Sequence, residues 1–230
     1  MSQITIASLQ GRIEAVRESV EFAADHVARS AADVTIVAVS KTVDRETMQA
    51  AYDLGLRHFG ENRVQDARRK LAEPMPVDCT MHLIGQLQTN KANHAVDLFQ
   101  VIESVDRPSL VEELEKHAAK RGIRLPVLVQ VNVAGEEQKA GCAPEDVDPL
   151  VNQIIWSEHL DLRGLMTIAP LVDDAEDVRP VFRRLRKIRD RLQSDSGLEL
   201  PVLSMGMTND FPIAIEEGAT HVRIGRAIFG

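Results

Sequence analysis

Aromatic residues are scarce in this chain: one Trp, one Tyr and six Phe make up 3% of its 230 residues. A platform for stacking single-stranded nucleic acid needs aromatics along a basic groove, and neither is supplied here. Positive charge is in deficit too, with 27 Lys+Arg against 35 Asp+Glu and a net charge of -8, so no general attraction to nucleic acid or to anionic membranes is expected. Two cysteines, Cys79 and Cys142, stand far apart, match no metal spacing and make no disulfide framework; they read as free, space-filling thiols. No apolar run reaches the about 18 residues of a membrane span. The first 30 residues are charged throughout and lack the apolar core of a secretory leader, which makes the cytoplasm the expected location.

What is present is a globular composition, 44% hydrophobic, with enough length for one domain over residues 1–230. The segment Ser8 to Ala28 places Ile13, Val16, Val20, Ala23 and Val27 at helical spacing. Strands and helices then alternate. The strands are expected at Val34–Val39, Arg57–Phe59, Thr80–Ile84, Leu98–Ile102, Pro126–Val133, Leu162–Thr167, Val202–Ser204 and His221–Ile224. Helices are expected at Arg45–Leu54, Arg63–Ala72, about Lys91–Val96, Pro108–Lys120, Pro144–Trp156, about Glu176–Leu192 and Asn209–Glu217, so that every strand but the last is followed by one.

Alternation of this kind implies parallel strands joined by right-handed crossovers, and eight strands imply closure into a (β/α)8 TIM-type barrel with an extra N-terminal helix. An open doubly wound sheet is the competitor. Its usual glycine-rich phosphate loop after the first strand is missing, since Lys41-Thr42-Val43-Asp44 stands there. The N-terminal helix then takes the place of a helix after strand eight.

Barrel chemistry gathers where strands end. At the first exit is Lys41, one residue past an apolar run. An ordinary lysine has a pKa of about 10.4, so about one molecule in a few thousand holds a free amine at neutral pH; lowering that value creates a nucleophile suited to Schiff-base formation with an aldehyde. The bland reading is a lysine reaching from a strand end to water. Other exits offer Glu61-Asn62, Gly85-Gln86, Glu103-Ser104, Asn132, Met166-Thr167, Ser204-Met205-Gly206-Met207-Thr208 and Arg223-Ile224-Gly225-Arg226. Ser204, bare backbone at Gly206 and Gly225, and the start of the short helix after Thr208 offer donors to a phosphate, though tight turns also explain the glycines. In strand eight, His221, Arg223 and Gly225 share a face, and a buried arginine requires an acceptor such as a pyridine nitrogen.

Six ordered motifs carry a family resemblance: Val-Ala-Val-Ser-Lys-Thr (37–42), His-Phe-Gly-Glu-Asn-Arg-Val-Gln (58–65), His-Leu-Ile-Gly-Gln-Leu-Gln-Thr-Asn-Lys (82–91), Arg-Gly-Leu-Met (163–166), Leu-Ser-Met-Gly-Met-Thr (203–208) and Val-Arg-Ile-Gly-Arg-Ala-Ile-Phe-Gly (222–230). They resemble the pyridoxal phosphate homeostasis protein family, which has the barrel of the alanine racemase N-terminal domain. The resemblance implies a cofactor, pyridoxal 5′-phosphate, held as a Schiff base by Lys41. It also implies that Asn62, Ser204, Gly206, Thr208, Arg223 and Gly225 surround the ring and phosphate. No metal is implied.

Two functions compete, a cofactor carrier without catalysis and a racemase-like enzyme. An arginine at the pyridine nitrogen would keep it unprotonated and weaken the electron sink. Racemisation also needs an opposing base. The single tyrosine, Tyr52, lies within the helix after strand one, and His82, inside strand three, reads as a core histidine. The expectation is therefore a carrier that holds and releases the cofactor, with apo-enzymes as recipients, acting as a monomer. A cofactor-free aldolase-like enzyme would share Lys41. The basic run Arg179 to Arg191 reads as a solvated helix face, and Glu136, Glu137 and Lys139 mark a candidate lid after strand five.

Overall fold

In the computed structural model, which describes residues 4–136 and 138–230, eight parallel strands form a closed barrel in sequence order, and β8 returns to pair with β1. The strands are β1 Thr35–Val39, β2 His58–Glu61, β3 Thr80–Leu83, β4 Val101–Val105, β5 Leu125–Gln130, β6 Leu160–Met166, β7 Val202–Met207 and β8 His221–Ile224. Around them lie α1 Ile6–His26, α2 Arg45–Asp53, α3 Val64–Lys70, α4 Ala92–Leu98, α5 Pro108–Arg121, α6 Val147–Ile155, α7 Arg179–Ser196, α8 Phe211–Glu216 and α9 Arg226–Phe229. Glu137, in the candidate lid, lies outside the described residues.

Local chemistry explains the helix ends. The Thr5 hydroxyl accepts from the Ser8 N–H at 3.2 Å to cap α1, and the Asp44 carboxylate accepts from Thr47 N at 2.8 Å to cap α2. Pro108 opens α5, where its missing N–H costs nothing, and Gly122 closes it in the left-handed conformation at φ 61°. Helix α1 buries Leu9, Ile13, Val16 and Val20 and packs against α8 and α9. It thus fills the outer ring where β8 would otherwise lack a full-length helix.

Several expected boundaries move. Leu98 reads as the start of a strand because it is apolar, but it completes α4, and β4 begins at Val101. Glu103 therefore sits in mid-strand and is fully buried. Strand β7 continues three residues past Ser204, so Ser204 too lies below the mouth. Strand β8 is followed by a one-turn helix, α9, that the sequence pattern did not announce. No helix among the described residues is long and apolar enough to cross a membrane. Cys79 and Cys142 are free and buried, with burial pushing their thiols up to about 11 and about 12.

Candidate functional site

Strand pairing aligns the exits on one side of the barrel. Val37 is level with Arg223 on β8 and with His58 on β2, and Val39 is level with Gly60. Side chains alternate along a strand, so the odd-numbered residues of β1 share the interior face with Arg223, and Lys41 follows in the turn just past the end of the strand. Lys41 is exposed. A Cβ on Gly225 would lie 3.4 Å from the Val39 Cβ, and one on Gly85 would lie 2.1 Å from the Asn62 carbonyl oxygen. Arg223 lies on β8, and Lys41, Asn62 and Gly225 follow the ends of the adjacent strands β1, β2 and β8, with β7 beside them.

Beneath the mouth the interior is polar. Arg223 donates through Nη1 to the Ser204 hydroxyl at 2.7 Å and through Nη2 to the Thr167 carbonyl at 2.7 Å. The Ser204 hydroxyl donates across the barrel to Glu103 Oε2 at 2.5 Å. Glu103 Oε1 meets His82 Nδ1 at 2.7 Å, and His82 Nε2 meets His58 Nδ1 at 3.0 Å. Burial alone would push the Glu103 carboxyl up; the hydrogen bond from His82 and the nearby Arg223 charge outweigh it and hold the group at about 2. His58 and His221 are pushed down to about 4, chiefly by burial, and are neutral at pH 7.

Within the protein the Ser204 proton goes to Glu103 and its oxygen receives Arg223, while Arg223 spends both terminal nitrogens on Ser204 and Thr167. The sequence pattern puts Glu103 at a strand exit because apolar Leu98 pulls the expected strand three residues early, whereas β4 spans Val101–Val105 and carries Glu103 inside. The link between His58 and His82 spans adjacent strands, and nothing in either local sequence announces it.

At the last two exits, Gly206 has φ 92°, and a Cβ there would meet the Ala214 Cβ at 2.6 Å and the Phe211 Cα at 2.9 Å. The turn that follows is closed by Asp210, whose carboxylate accepts from Met207 N at 2.5 Å. Thr208 is half-buried within that turn. Gly225 precedes α9, in which Ile228 N and Phe229 N donate to the Gly225 carbonyl at 3.0 and 2.8 Å and the N–H groups of Arg226 and Ala227 begin the helix. An exposed amine, a buried guanidinium and bare backbone N–H groups match the chemistry of a phosphorylated aldehyde, so the residues present fit such a group.

Tyr52 is remote from this constellation. Its hydroxyl donates to Asp78, and the Arg57 guanidinium lies over its ring, 4.1 Å from the centroid. The loop after β5 is tied down by Asn132 Nδ2 to the Glu136 carbonyl at 2.8 Å and by Lys139 Nζ to the Ala169 carbonyl at 3.2 Å. On α7, Arg179, Arg183 and Arg186 all reach the buried Glu217 carboxylate.

The barrel and its polar mouth define a class, and sequence comparison names it. Residues 12–230 match the family described as alanine racemase, N-terminal domain. The pyridoxal phosphate homeostasis protein of Aquifex aeolicus is 42% identical over 219 residues, covering 95% of this chain and 96% of that one. The protein of the same name from Schizosaccharomyces pombe is 39% identical over 86% of this chain and 84% of its own. Among solved structures, Synechococcus elongatus PipY with PLP bound superposes at a TM-score of 0.84 with 37% identity, over 96% of this chain and 100% of that one. A Clostridium difficile alanine racemase shares the fold at a TM-score of 0.75 and 13% identity, this chain covering 56% of its length. The chain belongs to the pyridoxal phosphate homeostasis proteins, within the wider family of alanine racemase N-terminal domains.

Proposed function

We propose that this protein binds pyridoxal 5′-phosphate reversibly, with Lys41 as the covalent anchor, and serves to hold and release it rather than to turn over a substrate. The bound cofactor supplies an aldehyde that condenses with a primary amine as a Schiff base, losing water, and water reverses the step. The observation that carries the reading is the placement of Lys41. It is an exposed amine in the turn just past β1, at the end of the barrel where the strands exit, and the two strands paired with β1 lead to Asn62 and Gly225. Gly206, Thr208 and Gly225 bring backbone N–H groups to the phosphate, while Ser204 acts through Arg223, which it holds in place. The names of the relatives and the PLP in the PipY structure support the same cofactor.

The case against racemisation rests on Tyr52. The chain's single tyrosine is engaged by Asp78 and Arg57 and so offers no base opposite Lys41. The test is spectroscopic. Incubation with pyridoxal 5′-phosphate is expected to give a visible band, and borohydride reduction is expected to fix the added mass on Lys41; Lys41→Ala should show neither. A wild-type protein without that band refutes the proposal. Exchange of amino-acid α-hydrogens in deuterated water at enzyme-like turnover would refute the carrier reading in favour of the racemase. Delivery to apo-enzymes belongs to the same reading, and a release rate unchanged by added apo-enzyme would argue against it.

A further inference from the structure

Behind Lys41, on the outer side of the barrel, a buried ion pair grips the peptide that carries it. Lys70, the last residue of α3, donates through Nζ to the Ser40 carbonyl at 2.6 Å and to Glu61 Oε1 at 2.8 Å. The Ser40 hydroxyl donates to the same Glu61 oxygen at 2.7 Å. Ser40 N donates to the Gly60 carbonyl at 3.0 Å, and the Ser40 carbonyl also accepts from Val43 N at 3.1 Å. Every polar group of Ser40 is therefore committed. Ser40 and Glu61 are fully buried, and the Lys70 side chain is only 15% exposed.

That arrangement is costly for a merely structural contact. Glu61 Oε2 is buried with no partner, and Lys70 is a long, flexible side chain fixed at two acceptors. The Ser40 carbonyl belongs to the peptide bond leading into Lys41, where β1 has ended and the chain enters a turn. The register that sets Val39 level with Gly60 brings Ser40 level with Glu61 on the outer face, so the ion pair holds the peptide leading into Lys41 from outside the barrel.

We propose that Glu61 and Lys70 are positioning residues for Lys41. Resting on the function proposed above, the inference assigns the pair the task of fixing the Lys41 backbone, so that covalent capture of an aldehyde orders only the lysine side chain. Non-covalent recognition of ring and phosphate belongs to other residues and does not depend on the clamp.

The test compares pyridoxal 5′-phosphate with pyridoxine 5′-phosphate, which has a hydroxymethyl group in place of the aldehyde. Lys70→Met alone leaves Glu61 charged and unpaired, so the informative variants are the neutral double substitution Glu61→Gln with Lys70→Met, and Ser40→Ala. Each is expected to weaken pyridoxal 5′-phosphate binding by about tenfold while shifting pyridoxine 5′-phosphate by less than about twofold, because pre-organisation helps only the group being ordered. Lys70→Arg, which keeps the charge and the donors, is expected to restore capture. Amide exchange at residues 40–43 in ligand-free protein should speed up in the double variant. Equal losses for both compounds, or no loss for either, would overturn the inference, as would unchanged amide exchange. A wild-type protein that binds both compounds without any adduct at Lys41 refutes the proposed function instead, and the clamp is then decided by amide exchange alone.

Discussion

Ser204 stands between Arg223 and Glu103, accepting from the guanidinium at 2.7 Å and donating to the carboxylate at 2.5 Å, so one hydroxyl couples two buried opposite charges across the barrel. Glu103 Oε1 is held by His82, so Oε2 is the oxygen that Ser204 links by hydrogen bonds to Arg223. Ser204→Ala removes an acceptor from a buried cation and a donor from a buried anion, and is expected to lower the unfolding free energy by about 1–3 kcal/mol. Urea denaturation checks this. If Ser204 acts through Arg223, the same variant also weakens cofactor binding, and Ser204→Thr, which retains the hydroxyl, recovers part of both losses.

The interior histidines predict how stability depends on pH. His58 and His221 have folded values of about 4, against 6.5 for the free side chain, mainly because burial disfavours the charged form. Between those values the unfolded chain binds more protons than the folded one, so stability falls as pH drops from about 6.5 towards 4. Glu103 behaves as a depressed acid: burial opposes its ionisation, but His82 and Arg223 prevail and hold it at about 2. Its contribution is complete above the unfolded carboxylate pKa and is lost as pH falls through about 2. Unfolding free energies at pH 7.5, 6 and 5 should therefore decline steadily, and His221→Gln should flatten the decline.

Two glycines at the mouth separate folding from binding. Gly206 has φ 92°, and a Cβ there would meet the Ala214 Cβ at 2.6 Å and Phe211 backbone at 2.9 Å. Gly206→Ala is expected to destabilise the fold by about 2 kcal/mol or more, from backbone strain and a clash with a packed helix. Gly225 has φ -109°, and its added Cβ would reach only to 3.4 Å from Val39. Gly225→Ala should leave thermal unfolding close to wild type, so any loss of pyridoxal 5′-phosphate binding in that variant reports close approach of ligand to backbone. Unchanged binding would remove Gly225 from the site.

The barrel was legible because its signals are local. Val34 to Val39 is continuously rich in apolar and β-branched residues, Pro108 and Gly122 mark both ends of α5, and β8 falls at His221–Ile224 as its pattern indicates. Lys41 stood out for a similar reason, as a charge directly after an apolar run. The polar interior was harder to read. Glu103, Ser204 and His58 come from strands two, four and seven and meet only after closure, and no periodicity within one segment encodes a contact across the lumen. Register errors hid them further: assigning Leu98 to a strand displaced Glu103, and ending β7 at Ser204 placed a buried residue at the mouth. Nothing in the expected helix Arg63–Ala72 announces the Lys70 contact, and only tertiary packing brings the last residue of α3 to Ser40.

The basic helix α7 makes a final prediction about charge. Glu217 is buried, with its side chain 4% exposed, and it accepts from Arg183 at 2.7 Å and Arg186 at 3.1 Å, with Arg179 at 3.4 Å. Burial pushes its carboxyl up, but hydrogen bonds from Arg183 and Arg179 pull it further down, so the net direction is below the usual range. This acid stabilises the fold above the unfolded carboxylate pKa and ceases to do so as pH falls through its lower folded value. Glu217→Gln leaves three guanidiniums without their shared anion and is expected to cost about 2–3 kcal/mol, less than a fully buried pair because Arg183 and Arg186 remain in contact with water. Denaturation at low and at high salt checks the origin of the loss. A loss that shrinks as salt rises identifies repulsion among Arg179, Arg183 and Arg186, whereas a loss independent of salt assigns it to packing against α8.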